Sequence, residues 1–355
     1  MSNEIPQEEF AVGRVVAAKK ASINQNLYQS TGMLSTRQIL DVEILEGRLK
    51  GMIAPVANEI TDNPVFNIDV GPGQEVVLAV VSQPGQKTEI NIADYHRAPA
   101  LGVLLAVFLV AFIFFGGKKG LKSLLGLVVS VILIACVLMP LSMHGFNPLL
   151  VAIGICFVST IATVYFVAGF SRKFWASVLG TVCGVIVAGI AAQLVIQFAP
   201  LTGLSSEEAQ ILRGSVLAGS PQFYKGLLAA GMLIGALGVI MDVGVSIASA
   251  VSEIAKNNPS ADQDQLYQAG MNVGRDIMGT MTNTLILAYA GSALPLLLLI
   301  SQVPSTKLIN LDLVATEVAS AISGSLGLVL TIPTTAWFSA RLLARPEKGE
   351  ILNEQ

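Results

Sequence analysis

The feature that most constrains this chain is a series of long apolar segments that begins at Ala98 and continues almost to the C-terminus. A bilayer core of about 30 Å requires roughly 20 apolar residues per helix. Only 13% of the residues are charged, against about 25% in soluble domains. We therefore predict a polytopic all-α membrane bundle of about seven transmembrane helices. The predicted spans are 98–117, 121–143, 147–170, 174–199, 224–254, 277–301 and 313–343.

The first 97 residues differ, because their apolar residues lie in short segments rich in Val and Ile and bounded by turn residues. The segments are 10–18, 39–45, 51–56, 75–82 and 87–92. We predict a small β-rich soluble domain at 1–97, built as a barrel or sandwich of about five strands. It is followed by the transmembrane domain at 98–345 and a short cytoplasmic tail at 346–355. The start of the chain, MSNEIPQEEF, has no apolar signal segment.

The orientation of the helices is predicted by the Lys and Arg residues in the short loops. Basic residues cluster after the first, third, fifth and seventh spans, and the alternate loops are poorer in them. The clusters contain Lys118, Lys119, Lys122, Arg172, Lys173, Lys256, Arg275, Arg341, Arg345 and Lys348. We expect these segments on the cytoplasmic side of the membrane, and residues 1–97 outside the cytoplasm.

Polar residues recur at helical spacing on three of the predicted spans. The fifth span carries Asp242, Ser246, Ser249 and Glu253; the sixth carries Asn272, Asp276, Thr280 and Asn283, with Arg275 beside Asp276; the seventh carries Glu317, Ser320, Gly324 and Thr331. An acid within a membrane is costly unless it faces protein or water. We interpret Asp242 as facing a polar pathway, and the alternative is a buried hydrogen-bond cluster that locks the helices together. For the Ser and Thr positions we favour a packing role.

Two further patterns concern local structure. Gly180 with Gly184, and Gly231 with Gly235, form G-x-x-x-G pairs, which predict close helix packing. The loop 257–275 is predicted to hold a short amphipathic helix on the inner surface, with a capping box that starts at Ser260.

Several classes of function lack support in the sequence. A net charge of −3 provides no electrostatic basis for nucleic-acid binding. P-loop, nucleophile-elbow and zincin motifs are absent, and His96 and His144 have no neighbours for a metal site. We predict no enzymatic activity, no cofactor and no metal. The expected partners are the lipid bilayer and an unknown small-molecule, ion or polypeptide substrate. Homo- or hetero-oligomerisation with another membrane protein is left open.

Four longer motifs resemble those of a known family. They are IADYHR (92–97), GGKKGLKS (116–123), MDVGVSIASAVSEI (241–254) and GMNVGRDIMGTMTNTLILAYAGSALPLLL (270–298). On these motifs the chain resembles the YibE/F-like family of bacterial multi-pass membrane proteins, from about residue 10 to 345. The resemblance implies a permease whose substrate is not established.

A shorter stretch is similar to the second half of SecD/SecF and other resistance-nodulation-division permeases. Those proteins use membrane acids to couple proton flow to work. In this chain Asp242, Glu253, Arg275 and the segment 280–284 occupy the comparable places, whereas Ser249 stands where those proteins tend to carry a charge.

Two functional hypotheses follow. The first is a secondary transporter or export-assisting permease, proton- or cation-coupled through Asp242, since no ATP-binding motif is present. The alternative is a non-transporting membrane scaffold or assembly partner that displays the N-terminal domain.

Overall fold

The computed structural model describes residues 7–20, 35–61, 67–82, 88–214, 220–295 and 310–344, and the single residues 298, 304, 307 and 308. The chain divides into two compact units, Met1–Ala111 and Phe112–Gln355. The first unit contains a β-sheet and the beginning of the first helix, and the second contains a bundle of helices. The predicted tail at 346–355 lies outside the described residues.

The first unit is built on a five-stranded antiparallel sheet with the strand order β3-β2-β1-β4-β5. The strands are β1 Gln7–Lys20, β2 Ser35–Ile44, β3 Ile53–Thr61, β4 Glu75–Ser82 and β5 Glu89–Tyr95. Alternate side chains such as Val15, Leu40 and Leu78 fill one apolar core. The edge strands β3 and β5 also contact each other, so the sheet curls into a half-barrel. The prediction of five strands is confirmed.

A polar cluster connects the sheet to the residues that precede the first helix. Glu75, at the start of β4, accepts a hydrogen bond from Arg14 of β1 at 2.9 Å. Its other carboxylate oxygen lies 2.9 Å from Nδ1 of His96, which directly follows β5. The hydrogen bond from Arg14, followed by that from His96, lowers the pKa of Glu75 below its ordinary value. His96 therefore has a structural partner that its isolated place in the sequence does not reveal.

The helices of the structure begin at cap residues and follow the apolar segments. Asn147, Ser171, Ser220 and Asp262 each accept a backbone hydrogen bond at the start of a helix. The helices are α1 Ala98–Leu133, α2 Met139–Met143, α3 Pro148–Ala168, α4 Arg172–Phe198, α5 Glu207–Gly214, α6 Pro221–Asn257, α7 Gln263–Ser292 and α8 Asp312–Leu343, with a π-helical turn at Ile134–Leu138 between α1 and α2.

Five helical segments in the described part of the chain are long and apolar enough to cross a membrane. They are Ala98–Met143, Pro148–Ala168, Arg172–Phe198, Pro221–Asn257 and Asp312–Leu343. The first is 46 residues long and contains two of the predicted spans. The sixth predicted span, which begins in α7, is not among the five. The predicted count of about seven helices fits the structure when α1 is counted as two arms.

The two arms of α1 are separated by a sharp reversal at Gly117. This glycine has φ 53° and ψ −141°, outside the helical region and in a region that residues with a Cβ rarely adopt. A Cβ on Gly120 would lie 3.0 Å from the carbonyl oxygen of Phe112. Residues eight apart in a straight helix are about 12 Å apart, so the chain folds back at this point.

The centre of the bundle is the contact between α4 and α8, where two backbones touch. A Cβ on Gly184 would lie 2.8 Å from the carbonyl oxygen of Gly327, and a Cβ on Gly327 would lie 2.7 Å from that of Gly184. Gly180 packs equally closely against Thr335. The predicted packing role of Gly180 and Gly184 is confirmed. In addition, α8 contacts α6 and α7, and α3 packs on α4 and α6.

The prediction of a separate amphipathic helix within 257–275 is wrong. Asp262 and Gln265 form the capping box, in place of one starting at Ser260, and α7 then runs unbroken to Ser292. The physical reason is tertiary packing: Gly270 fits against Ala336 of α8, so the helix continues along the bundle and does not lie flat on its surface.

We predict that Gly327→Val destabilises the bundle. The new side chain would meet Ala188 and the backbone of Gly184, and overpacking a close-packed contact typically costs about 1–3 kcal/mol. Thermal unfolding of the purified protein, followed by the fluorescence of Trp175 and Trp337, should shift to lower temperature. Gly154→Val is the matched control, because nothing lies within 4 Å of its Cβ position. Equal unfolding midpoints for the two variants would contradict the prediction.

Candidate functional site

The outward face of α6 carries no large apolar side chain over most of its length. Asp242, Ser246 and Glu253 are exposed, and Ser249 is half-buried. The opposite face is buried and apolar, with Ile240, Ile247 and Val251 in the core. The outward residues, which we call the α6 stripe, are Gly231, Gly235, Gly238, Asp242, Ser246, Ser249 and Glu253.

The outward face of α7 is also polar. It buries Leu266, Gly270, Gly274 and Leu285 against its neighbours. Its exposed residues between Asn272 and Thr284, which we call the α7 stripe, are Asn272, Arg275, Asp276, Gly279, Thr280, Asn283 and Thr284. Beyond the stripe the exposed side chains include the apolar Ile286 and Leu287. This polarity explains why α7 is not among the apolar segments that could cross a membrane on composition alone.

The charged groups of the two stripes have few partners within the chain. Arg275 donates a hydrogen bond of 3.3 Å to the side chain of Asn272. In the described part of the chain, Asp242, Arg275 and Asp276 form no ion pair. Glu253 is different, because it pairs with Lys256 at 2.8 Å near the end of α6. Asp242, Arg275 and Asp276 are therefore the charged groups of the two stripes that form no ion pair with the described residues.

Close contacts between helices place these charges at intermediate depth. Gly274 packs against Ile247 of α6 and Ile332 of α8, so Arg275 lies at the level of Ser246, about one turn from Asp242. Arg341, one of the basic residues predicted at the inner end, follows Ile332 by roughly two and a half turns. The level of Gly274 is therefore about 13 Å from Arg341 along the bundle. Arg275 therefore lies deeper along the bundle than the inner loop predicted for it from the sequence, and Asp276 follows it.

The structure brings together six of the polar residues predicted on the fifth and sixth spans. At similar levels on adjacent helices α6 and α7 lie Asp242, Ser246, Arg275, Asp276, Thr280 and Asn283. Glu317 of α8 is separate. Gly324, two turns after it, packs against Ala236, which places Glu317 about 20 Å from the level of Asp242. Glu253 lies near the opposite end of α6 and is paired there, and Ser249 donates to the carbonyl of Val245.

The polar residues of α8 serve a different purpose from those of α6. Ser320 and Thr331 are buried, and each donates a hydrogen bond of 2.8 Å to a carbonyl of its own helix. Gly324 lies against Leu285 and Ala236. These residues are contact surface between helices, as favoured for the Ser and Thr positions.

The basic segments of the bundle meet at one end. Arg172, at the start of α4, donates a hydrogen bond to the carbonyl of Leu342 at the end of α8. Lys119 and Lys256 both lie within electrostatic range of Lys173. The loop charges predict that four separate segments lie on one side. Residues of all four segments lie at one end of the bundle.

The sequence predicts close helix packing at Gly231 and Gly235, and among the described residues this prediction is wrong for Gly231. Nothing lies within 4 Å of the Cβ positions of Gly231 and Gly238, and the hydroxyl of Tyr289 lies 2.6 Å from that of Gly235. Their position around the helix axis, relative to Asp242, could have distinguished these glycines from Gly244 in the sequence. Gly231, Gly235 and Gly238 share the face of Asp242, whereas Gly244 packs on Thr181 within the bundle.

An outward polar surface of this kind is incompatible with bare hydrocarbon. A single Asp, Lys or Arg at the centre of a membrane helix costs about 2.5–3.5 kcal/mol on insertion scales. In a bilayer, Asp242, Arg275 and Asp276 would therefore require water, protein or polar headgroups against them. The arrangement can hold a proton or a cation at Asp242, with the hydroxyl of Ser246 on the same face. Thr280 donates its hydroxyl hydrogen to the carbonyl of Ile277, so its oxygen can serve only as an acceptor.

Comparison with known proteins identifies one family. A family model described as YibE/F-like protein matches residues 104–345, which include α6, α7 and α8 but not the β-sheet. No curated protein and no solved structure matches the chain, and the similarity to SecD/SecF and resistance-nodulation-division permeases is not shown by any comparison. The family and the apolar helices fit a membrane protein. On the extent of the match, the chain belongs to the YibE/F-like family.

Proposed function

We propose that this protein is a multi-pass integral protein of the bacterial cell membrane that works as a secondary transporter or export-assisting permease, with Asp242 as its coupling group. The observation that carries the proposal is the position of Asp242, unpaired and at mid-length of a 37-residue apolar helix. Ionisable residues at such positions generally mark ion pathways or proton relays.

The neighbours of Asp242 support a role in moving a proton or a cation. Ser246 lies one turn away on the same face, and Thr280 and Asn283 lie at a similar level on α7. Hydroxyl and amide groups can both donate and accept hydrogen bonds, so they can hold water or a cation beside the carboxylate. Arg275 lies on α7 about one turn from the level of Asp242, so it places a positive charge on the same outward surface.

The alternative is a membrane scaffold that displays the N-terminal sheet to another protein. The observation in its favour is that the sheet has its own apolar core and yet exposes Phe10 and Ile53, which are 62% and 57% accessible. Exposed apolar residues of this size are common in binding surfaces, although single ones are also ordinary.

The first prediction concerns orientation. In a background without native cysteines, a Cys at Arg48 in the first unit should react with a membrane-impermeant maleimide added to intact spheroplasts. A Cys at Asn258, just after α6, should react only after permeabilisation, because the basic end of the bundle is expected inside. Both positions are exposed. The reverse pattern would place the sheet in the cytoplasm.

The second prediction concerns coupling. Asp242→Asn removes the ionisable group with little change in size, and we expect activity to fall at least about tenfold, as is usual when a proton-transfer group is lost. Asp242→Glu should retain part of the activity. The measurement is growth of a strain that lacks the gene, complemented by each variant, together with proton uptake into inverted membrane vesicles.

The control for the coupling test is Glu208→Gln, which neutralises an exposed acid of the short helix α5. It should behave as the unmodified protein. If Asp242→Asn supports full growth and proton uptake at an equal expression level, the coupling role of Asp242 is wrong.

The third prediction separates the transporter from the scaffold. Deletion of residues 1–90 removes most of the sheet and leaves α1 and the bundle. A transporter whose pathway lies in the helices should retain measurable activity, whereas a scaffold that works through the sheet should lose all of it. Retention of the truncated protein in membranes through an alkaline wash verifies that it still inserts. Complete loss of activity in a correctly inserted protein would favour the scaffold.

A further inference from the structure

We infer that the outward face formed by the α6 stripe and the α7 stripe is the interface with a second copy of this chain, packed within the membrane around a twofold axis. The inference rests on the membrane location proposed above, but it is independent of transport activity.

The first step is that this face requires a cover. Asp242, Arg275 and Asp276 point out of the single chain at intermediate depth and have no ion-pair partner in the described residues. The outward faces of α3 and α4 are different, because they expose apolar residues such as Val158, Ile186 and Ile190. Lipid can cover those faces, whereas it cannot satisfy the charges between α6 and α7.

The second step is that the face is shaped for a helix. Gly231 and Gly238 have nothing within 4 Å of their Cβ positions, and the short side chains of Asp242 and Ser246 follow them along the same line. Small residues in such a line let another backbone approach closely, which is the usual way in which membrane helices associate. Small residues allow the same close approach of two helix backbones inside the bundle, at Gly184 and Gly327.

The third step identifies the cover as a second copy. The face carries one unpaired base and two unpaired acids, so it is complementary to itself. A twofold axis along the membrane normal leaves each residue at its own depth. Arg275 of one copy would then face Asp276 of the other, and the same pair would form a second time across the axis. Asp242 lies within about one turn of this pair.

This arrangement also specifies the pathway of the proposed transporter. The interior of the single bundle is closed by the contact between α4 and α8, whereas Asp242, Ser246 and Thr280 line the proposed interface. A pathway through Asp242 would then lie between two copies, and each copy would supply one acid to it.

The first test is cysteine cross-linking in native membranes. In a full-length background without native cysteines, Ser246→Cys and Gly238→Cys should form dimers with a short bis-maleimide. Contacts between α4 and α6 provide matched controls, since Leu179 is level with Ser246 and Ile186 is level with Gly238. Both control residues are exposed. We expect at least about tenfold more dimer from the interface positions than from the controls. Equal dimer at both sets, or products with other proteins only, would overturn the inference.

The second test uses charge reversal between two differently tagged copies. Arg275→Asp places an acid at both position 275 and position 276. Asp276→Arg places a base at both positions. Each variant alone should co-purify with itself at least about tenfold less than the unmodified chain does, because like charges face each other. Co-expression of the two variants should restore recovery, because both cross-axis pairs then have opposite signs. Lys118→Asp, at the exposed reversal of α1, should leave recovery unchanged.

The outcomes separate this inference from the proposed function. Release of the protein from membranes by an alkaline wash would refute the membrane location itself. Retention in membranes, with equal self-association of both charge variants, would refute the interface alone. Dimers that form while Asp242→Asn remains fully active would refute the coupling role and leave the interface in place.

Discussion

The bundle depends on the direct contact of two helix backbones, those of α4 and α8, at Gly184 and Gly327. In hydrocarbon the hydrophobic effect does not drive helices together, so association relies on close packing and hydrogen bonds. Residues with little or no side chain allow that packing, and the hydroxyl of Thr331 is satisfied by the carbonyl of Gly327 within its own helix. Because α8 also contacts α6 and α7, this junction determines where the other helices can lie.

The same contact explains where the charges of the bundle are found. An interior closed by glycine, alanine and hydroxyl side chains has no space for a solvated carboxylate or guanidinium. Asp242 and Arg275 therefore occupy the opposite side of their helices, where they are exposed. Two kinds of polar residue with the same helical spacing thus have opposite roles: the hydroxyls of α8 pack inward, and the charges of α6 and α7 face outward.

Much of this architecture could be predicted because it depends on local properties. Apolar length predicted the helices, and short Val- and Ile-rich segments bounded by turn residues predicted the five strands. The spacing of Gly180 and Gly184 predicted a close contact. The remaining features depend on distant residues. Helical period shows that Asp242 and Ser246 share a face but not what that face meets. Likewise, the extension of α7 to Gln263 depends on the fit of Gly270 against Ala336, some 66 residues later in the chain.

The position of β1 in the middle of the sheet has a consequence for biosynthesis. This strand pairs with β4, and Arg14 contacts Glu75 across 61 residues of sequence. The central strand β1 therefore cannot pair on both of its edges until β4 has been synthesised. Contacts of such long range form slowly. Before β4 has been synthesised, the unfolded polypeptide can still pass through a narrow channel in an extended conformation. On the orientation proposed above, late closure of the sheet keeps the first unit able to cross the membrane until β4 has been synthesised.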